Sequence, residues 1–134
     1  METLTTLAGQ VIDLARRRNE ERDALEAKHG VRGAVTLDHP GLVAIPASPR
    51  PDERALVGHL TRVEHKQLLK LQSLMYFGRG DDDDLKALYE DFLERPEKHE
   101  LTVDGMVSKC PLDQYLTDAL AKAKRLGIDI DTLI

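Results

Sequence analysis

The segment Ser73–Asp84, which reads SLMYFGRGDDDD, holds the residue types in this sequence that could carry chemistry. An apolar run stops at Gly-Arg-Gly, and four consecutive aspartates follow. One arginine beside four carboxylates could grip a phosphate, hold a metal ion or contact a charged partner. The same residues could instead end one helix and begin the next. We refer to Arg79–Asp84 below as the acidic turn.

The spacing within the acidic turn does not favour a phosphate or metal site. A P-loop places its glycines between a strand and a helix and continues with Lys and Ser or Thr. Here the glycines follow a helical pattern, and the aspartates would repel phosphate. A calcium loop alternates its oxygen ligands and ends on a glutamate, which Asp81–Asp84 and the residues after them do not. We therefore expect no metal ion and no cofactor.

A helix stop followed by a helix start accounts for every residue of the turn. Gly78 is predicted to end the preceding helix in the left-handed conformation, and Gly80 to let the chain turn. One aspartate is predicted to cap the next helix, with the others near its positive end. Arg79 is expected to pair with these aspartates or with helix carbonyls; the alternative is a binding arginine held on a turn, beside Tyr76.

Other reactive side chains are scattered along the chain. Its five histidines are His29, His39, His59, His65 and His99. None are spaced as metal ligands on one helical face, so surface histidines are expected, with an assembly of His29, His59 and His99 left open. Cys110 is the only cysteine, which excludes a disulfide framework. No nucleophile–base pattern is present, and catalysis is not expected.

Apolar residues at spacings of three and four predict the helices that position the turn. The stripes are Leu4–Leu14, Leu56–Val63, Leu68–Met75, Leu85–Phe92 and Leu112–Ala123. We expect a break near residues 62–65 and ends at Pro96 and Gly127. The stretch 101–109 reads as a connection. The basic cluster 15–22 reads as a solvated helix face with ion pairs such as Arg17–Glu21, the alternative being a contact patch.

Four prolines fall within residues 31–52, which predicts a long proline-rich connection. We predict one all-α domain over residues 1–134, a small bundle of about four or five helices. The first helix, the central helix before the acidic turn and the helix after Pro111 should form the core. The residues expected to be buried are Leu7, Val11, Leu14, Leu60, Leu71, Met75, Leu88, Phe92, Leu116 and Leu120.

The segments LLKLQSLMYFGRGD, LVGHL and CPLDQYLTDALAKAKRLG together resemble a bacterial domain family of unknown function, number 3775 in its series. The family motif is Leu-x-Ala-Leu-Met-Trp-x-Gly-Arg-Gly-Asp, which this chain matches at Leu71, Leu74, Met75 and Gly78–Asp81, with Tyr76 as the aromatic residue in place of Trp. It departs from the pattern at Ser73, at Tyr76 and at Gly105, where an aromatic residue is expected. The resemblance implies a small helical domain and supplies no activity.

Composition and net charge narrow the range of partners that this chain is expected to bind. The formal net charge of −5 and an aromatic content of 4% disfavour direct binding to nucleic acid or to an anionic membrane. The N-terminus lacks the pattern of a secretory signal, and a cytoplasmic location is expected. A partner, if there is one, should be a protein, and a basic one suits the charge.

We therefore expect a non-catalytic interaction or regulatory protein. Its sharpest form is a phage-type anti-defence inhibitor that docks on a basic, nucleic-acid-handling protein. The candidate contact residues are Tyr76, Arg79, Asp81, Asp82, Asp83 and Asp84. The alternative is a small-ligand binder or enzyme with a pocket near Tyr76 and Arg79. A homodimer through the apolar ends of the first and last helices also stays open.

Overall fold

The computed structural model describes residues 3–29, 50–95, 97–109 and 111–134. These residues form seven helices and no strand. The helices are α1 Leu4–His29, α2 Pro51–Arg62, α3 His65–Arg79, α4 Leu85–Glu94, α5 His99–Val107, α6 Leu112–Arg125 and α7 Ile130–Leu133. The all-α prediction is confirmed, and the predicted number of helices was too low.

Two helices account for the undercount, α5 and the four-residue α7. Residues 101–107 of the predicted connection belong to α5, which runs from His99 to Val107 and buries Thr102, Val103 and Met106 on one side. Three β-branched residues and Gly105 give this segment a weak helix propensity. Its burial against α2 and α3 compensates, which a local sequence pattern does not reveal.

Helix α3 is the centre of the domain and packs against α1, α4, α5 and α6. As predicted, α1, α3 and α6 supply most of the core. Six of the ten residues expected in the core are buried, namely Leu7, Val11, Leu60, Leu71, Met75 and Leu116. Leu14, Leu88 and Leu120 are partly buried against that core, and Phe92 is partly buried at the surface.

The break predicted near residues 62–65 lies at Val63 and Glu64, where the backbone is extended. Helix α2 begins at Pro51, so the last two residues of the predicted connection are helical. Arg50 directly precedes α2, and residues 31–49 of that connection lie outside the described residues. The first turn of α2 is capped by Glu21 of α1, whose carboxylate accepts the backbone N–H groups of Asp52 and Glu53 at 2.9 and 3.2 Å.

The basic cluster on α1 is not a uniformly solvated face. Arg18 is 1% exposed and donates to the carbonyl oxygens of Val107 and Lys109 at 2.6 and 3.0 Å. Those carbonyls lie at the end of α5, where a cation is favoured by the helix dipole. Arg17 pairs with Asp13 at 3.0 Å rather than with Glu21. Arg17 is thus in a solvent-exposed ion pair, but the predicted partner Glu21 was wrong, and the solvated face was wrong for Arg18.

The C-terminal segment packs back on the first helix. Ile130 is buried, and Asp131 of α7 accepts two hydrogen bonds of 2.9 Å from the backbone N–H and the hydroxyl of Thr5. A carboxylate at the N-terminus of α1 also complements its dipole. Among the described helices, none combines the length and apolarity that crossing a membrane requires.

Candidate functional site

The helix before the acidic turn ends two residues later than predicted. Helix α3 continues through Gly78 to Arg79, and Gly80 adopts the left-handed conformation at φ 96°. The N–H of Asp81 bonds the carbonyl of Tyr76 at 3.1 Å, and the N–H of Gly80 bonds that of Phe77 at 3.3 Å. This is a Schellman ending. The assignment of the helix cap to Gly78 was therefore wrong, and Gly80 supplies it.

Gly78 has a different role, which is the close approach of two helices. A β-carbon on Gly78 would collide with the carbonyl oxygen of Tyr115 and lie 2.8 Å from the backbone nitrogen of Ala119. Both of those atoms belong to α6. Only a residue without a side chain lets the end of α3 lie directly on the α6 backbone.

Arg79 and Asp81 form a two-pronged ion pair at the end of α3. The Nε and Nη2 atoms of Arg79 donate to the two carboxylate oxygens of Asp81 at 2.9 and 2.5 Å. These hydrogen bonds lower the pKa of Asp81 and raise that of Arg79 from their ordinary values. Each side chain keeps 37% of its surface exposed, so solvent screens the pair and limits its contribution to stability.

The other three aspartates also have contacts within the domain. Asp82 accepts the backbone N–H of Asp84, and Asp84 caps α4 by accepting the N–H of Ala87, each at 3.0 Å. Asp83 pairs with Lys122 at 2.6 Å, and this hydrogen bond lowers its pKa. The predicted aspartate cap is thus Asp84, and the partner of Asp83 lies on α6.

Lys122 is a residue of this site that the sequence did not single out. Its ammonium group donates to the carbonyl oxygens of Phe77 and Asp82 at 3.1 and 3.2 Å and lies 4.3 Å from the centre of the Phe77 ring. It therefore neutralises the last turn of α3 and fastens the acidic turn to α6. Nothing in the local sequence distinguishes Lys122 from the other lysines of α6.

Two aromatic rings and two arginines connect α3 to α4. The Tyr76 and Phe92 rings stack with their centres 5.5 Å apart. The Arg79 guanidinium lies 4.7 Å from the centre of the Tyr76 ring, and that of Arg95 lies 5.6 Å from the centre of the Phe92 ring. Tyr76 and Arg79, both predicted site residues, are thus in direct contact, and each also contacts a neighbour within the domain.

An open groove of about 860 Å³ lies beside these rings, between α3, the end of α4 and the start of α5. We call it the Gln72 groove and define it by Leu69, Gln72, Tyr76, Phe92, Lys98 and Leu101. Leu69, Gln72 and Tyr76 are spaced three and four apart, so they form one face of α3. The core face of the same helix is separate and includes Leu68 and Leu71.

The mouth of the groove is charged and its wall contains an unsatisfied amide. Arg95, Glu97 and Glu100 border it together with Lys98. Gln72 is 8% exposed, and its buried Oε1 has no hydrogen-bond partner in the described part of the chain. Leu101, by contrast, is 55% exposed.

A pocket near Tyr76 and Arg79 was the alternative prediction. The groove lies against Tyr76, but Arg95 rather than Arg79 lines it. Phe92 was predicted as core and is instead partly buried at the surface, where it lines this groove. The spacing of Leu69, Gln72 and Tyr76 could have indicated a second face on α3, whereas the meeting of α4 with α5 has no sequence signal.

The histidines form a pair that was not predicted. The Nδ1 atoms of His65 and His99 are 3.0 Å apart, and Nε2 of His99 lies 3.1 Å from the carbonyl oxygen of Thr61. This pair joins the start of α3, the start of α5 and the end of α2. The described residues contain no group of three or more His, Cys, Asp or Glu placed to hold a metal ion. His39, Cys110 and the side chain of His29 lie outside the described part of the chain.

No family model, curated protein or solved structure matches this chain. The resemblance to the bacterial domain family stays an expectation from the motif around Arg79. The acidic turn and the Gln72 groove are therefore the features of the molecule that bear on its function.

Proposed function

We propose that this chain is a non-catalytic interaction protein that binds a basic protein partner through the Gln72 groove. The observation that carries the proposal is the exposure of Leu101 at the edge of a concave surface that also contains Leu69, Tyr76 and Phe92. Apolar and aromatic side chains clustered in a concave surface with a charged rim are typical of protein contact sites.

Charge supports a basic partner. The chain carries a formal net charge of −5, and Asp91 neutralises Arg95 at the groove mouth through a contact of 2.6 Å. Glu97 and Glu100 then outnumber Lys98 at that mouth. A basic segment would be attracted to this rim while its apolar side chains enter the groove.

The acidic turn has a supporting role in this proposal. Its carboxylates hold Arg79, Lys122 and the first turn of α4, so they are already engaged within the domain. Asp83 remains 85% exposed and contributes negative potential that steers a basic partner. An inhibitor of a basic, nucleic-acid-handling protein in the cytoplasm is the most specific form of the proposal, and the negative net charge supports it.

A small-ligand binder is the second candidate, because the groove volume falls within the range of small-molecule pockets. The open mouth and the exposed Leu101 favour a protein segment over a small molecule, since a small ligand is better retained by an enclosed cavity. Binding of a metabolite mixture by the purified chain, with no protein partner retained, would favour this second function.

The test uses two leucine substitutions. Leu101→Glu places a charge in the groove, and Leu126→Glu is the matched control, because Leu126 is 49% exposed and does not line the groove. Immobilised wild-type chain and both variants are exposed to host-cell extract, and retained proteins are identified by mass spectrometry. Each candidate is then purified and its Kd measured by calorimetry.

We expect a directly binding, basic protein whose Kd rises about tenfold or more with Leu101→Glu and stays unchanged with Leu126→Glu. Retained proteins that bind wild type and Leu101→Glu equally well would overturn the groove as the contact surface. Loss of binding only when Asp83 is replaced by Asn would move the contact to the acidic turn.

A further inference from the structure

The Gln72 side chain has a hydrogen-bonding group that the other residues lining the groove do not satisfy. Its side chain lies on the groove face of α3, between Leu69 and Tyr76, and its Oε1 is buried without a partner among the described residues. A buried amide oxygen that lacks a hydrogen bond is costly, and most such groups in proteins are paired. Among the described residues no donor reaches it, so a molecule that enters the groove could supply one.

The chemistry of the missing partner follows from the amide. A glutamine side chain offers an acceptor at Oε1 and two donors at Nε2, and a half-turn of its amide exchanges the two ends. A second amide matches it most completely, because its N–H and C=O satisfy both ends together. In a helix, the N–H and C=O of a peptide unit are already hydrogen-bonded to the same backbone, whereas in an extended segment both groups are available.

We infer that the Gln72 groove binds an extended, basic segment of the partner protein, and that one peptide unit of this segment pairs with the Gln72 amide. The inference rests on the proposed function and adds the conformation and the anchoring contact. Side chains of an extended segment alternate between two sides. Apolar ones would enter the groove toward Phe92 and Leu101, and basic ones would face the mouth.

The charges at the mouth of the groove predict the net charge of the bound segment. Arg95 is engaged by Asp91 and lies over the Phe92 ring. Lys98 forms no ion pair with an acidic group among the described residues, while Glu97 accepts the hydroxyl of Thr102 at 2.8 Å and stays exposed. Glu100 is likewise exposed. Two carboxylates against one uncommitted ammonium favour lysine or arginine on the incoming segment.

The experiment selects a probe and then tests its backbone. A displayed library of random linear peptides is selected on the wild-type chain, and peptides that lose binding to Leu101→Glu but not to Leu126→Glu are synthesised. Each backbone nitrogen of the best peptide is methylated in turn, which removes one N–H donor at a time. Every peptide is titrated against wild type and Gln72→Leu, whose fold is checked by circular dichroism.

We expect basic peptides in which methylation at one position weakens binding to wild type about tenfold or more. The same methylation should leave the affinity for Gln72→Leu nearly unchanged, because its hydrogen-bond partner is already gone. Equal losses in both proteins would overturn the pairing with Gln72. Acidic peptides, peptides that bind better when helix-stabilised, or no groove-dependent peptide would overturn the extended basic segment.

The two proposals fail separately. If a captured protein depends on Leu101 but binds through a helix, the interaction function stands and the inference about Gln72 is wrong. If extended peptides pair with Gln72 but no cellular protein binds through the groove, the inference stands and the proposed function is wrong.

Discussion

The backbone carbonyl of Tyr115 occupies the space that a side chain on Gly78 would need. Gly78 belongs to the last turn of α3, and Tyr115 to the first half of α6. This backbone contact fixes how closely the two central helices approach, and it lies next to the acidic turn and to Tyr76. The position of the candidate site thus depends on a residue with no side chain.

Gly78→Ala should lower the free energy of unfolding by about 1–3 kcal/mol, since the new methyl group must push the α6 backbone away. Urea denaturation followed by circular dichroism measures it. Gly105→Ala is the matched control, because a β-carbon there meets nothing within 4 Å in the described residues. That control should gain about 0.5–1 kcal/mol from helix propensity. Equal effects at both positions would contradict the close approach.

Arg18→Met should destabilise the domain by about 2–4 kcal/mol. The methionine keeps an apolar stem but leaves the carbonyl oxygens of Val107 and Lys109 without their buried donor. Arg17→Met, one residue earlier, removes a pair in which both side chains are 60% exposed and should cost less than about 1 kcal/mol. Thermal unfolding of the two variants gives the comparison, and a similar Tm for both would refute the distinction.

Substitution of Arg79 or Lys122 should change the pKa of one aspartate in the acidic turn and leave that of the other unchanged. Arg79→Met removes the hydrogen bonds that lower the pKa of Asp81, so this pKa should rise toward its ordinary value of 3.8 while that of Asp83 stays low. Lys122→Met should have the converse effect. The carboxyl carbon shifts of both aspartates, followed by NMR against pH, measure this. A change at both aspartates from either substitution would mean that the turn had unfolded.

The sign of the pH dependence follows from the same contacts. A carboxylate whose pKa is lower in the folded state stabilises the fold at pH values above its unfolded pKa. That contribution is lost as the pH falls through the lowered folded pKa, thus below 3.8 for Asp81 and Asp83. The stability difference between wild type and Arg79→Met should therefore be present at neutral pH and vanish in strong acid.

The histidine pair predicts one tautomer for each ring. The Thr61 carbonyl can only accept, so the neutral His99 ring should carry its proton on Nε2. Its Nδ1 is then the acceptor, and His65 should donate from its own Nδ1. Long-range nitrogen–proton NMR correlations distinguish the two tautomers. His65 protonated at Nε2 instead would exclude the hydrogen bond between the rings.

Gln72→Leu should raise the free energy of unfolding by about 1 kcal/mol, because it removes a buried oxygen that has no partner. Ser73→Ala is the neighbouring control, since the buried Ser73 hydroxyl donates to the Leu69 carbonyl at 2.8 Å and its loss should not stabilise. Chemical denaturation of both variants tests this. A destabilised Gln72→Leu would mean that the amide already contributes to folding.

The sequence by itself determined the helices whose apolar residues recur at helical spacing. The stripes of α1, α3 and α6 predicted the core. The break after α2 and the aspartate cap at the start of α4 were also predicted, since both depend on residues close along the chain. The pairing of Arg79 with an aspartate was also predicted, because Asp81 lies only two residues later in the chain.

Tertiary structure decided what depends on the meeting of distant segments. It made α5 a helix by burying Val103, put Arg18 at the end of that helix, and brought Lys122 to Asp83 across the α3–α6 contact. It also separated the groove face of α3 from its core face by placing α4 and α5 beside it. Local propensity carries none of these, because burial and pairing free energies depend on which surfaces pack together and not on the order of residues in one segment.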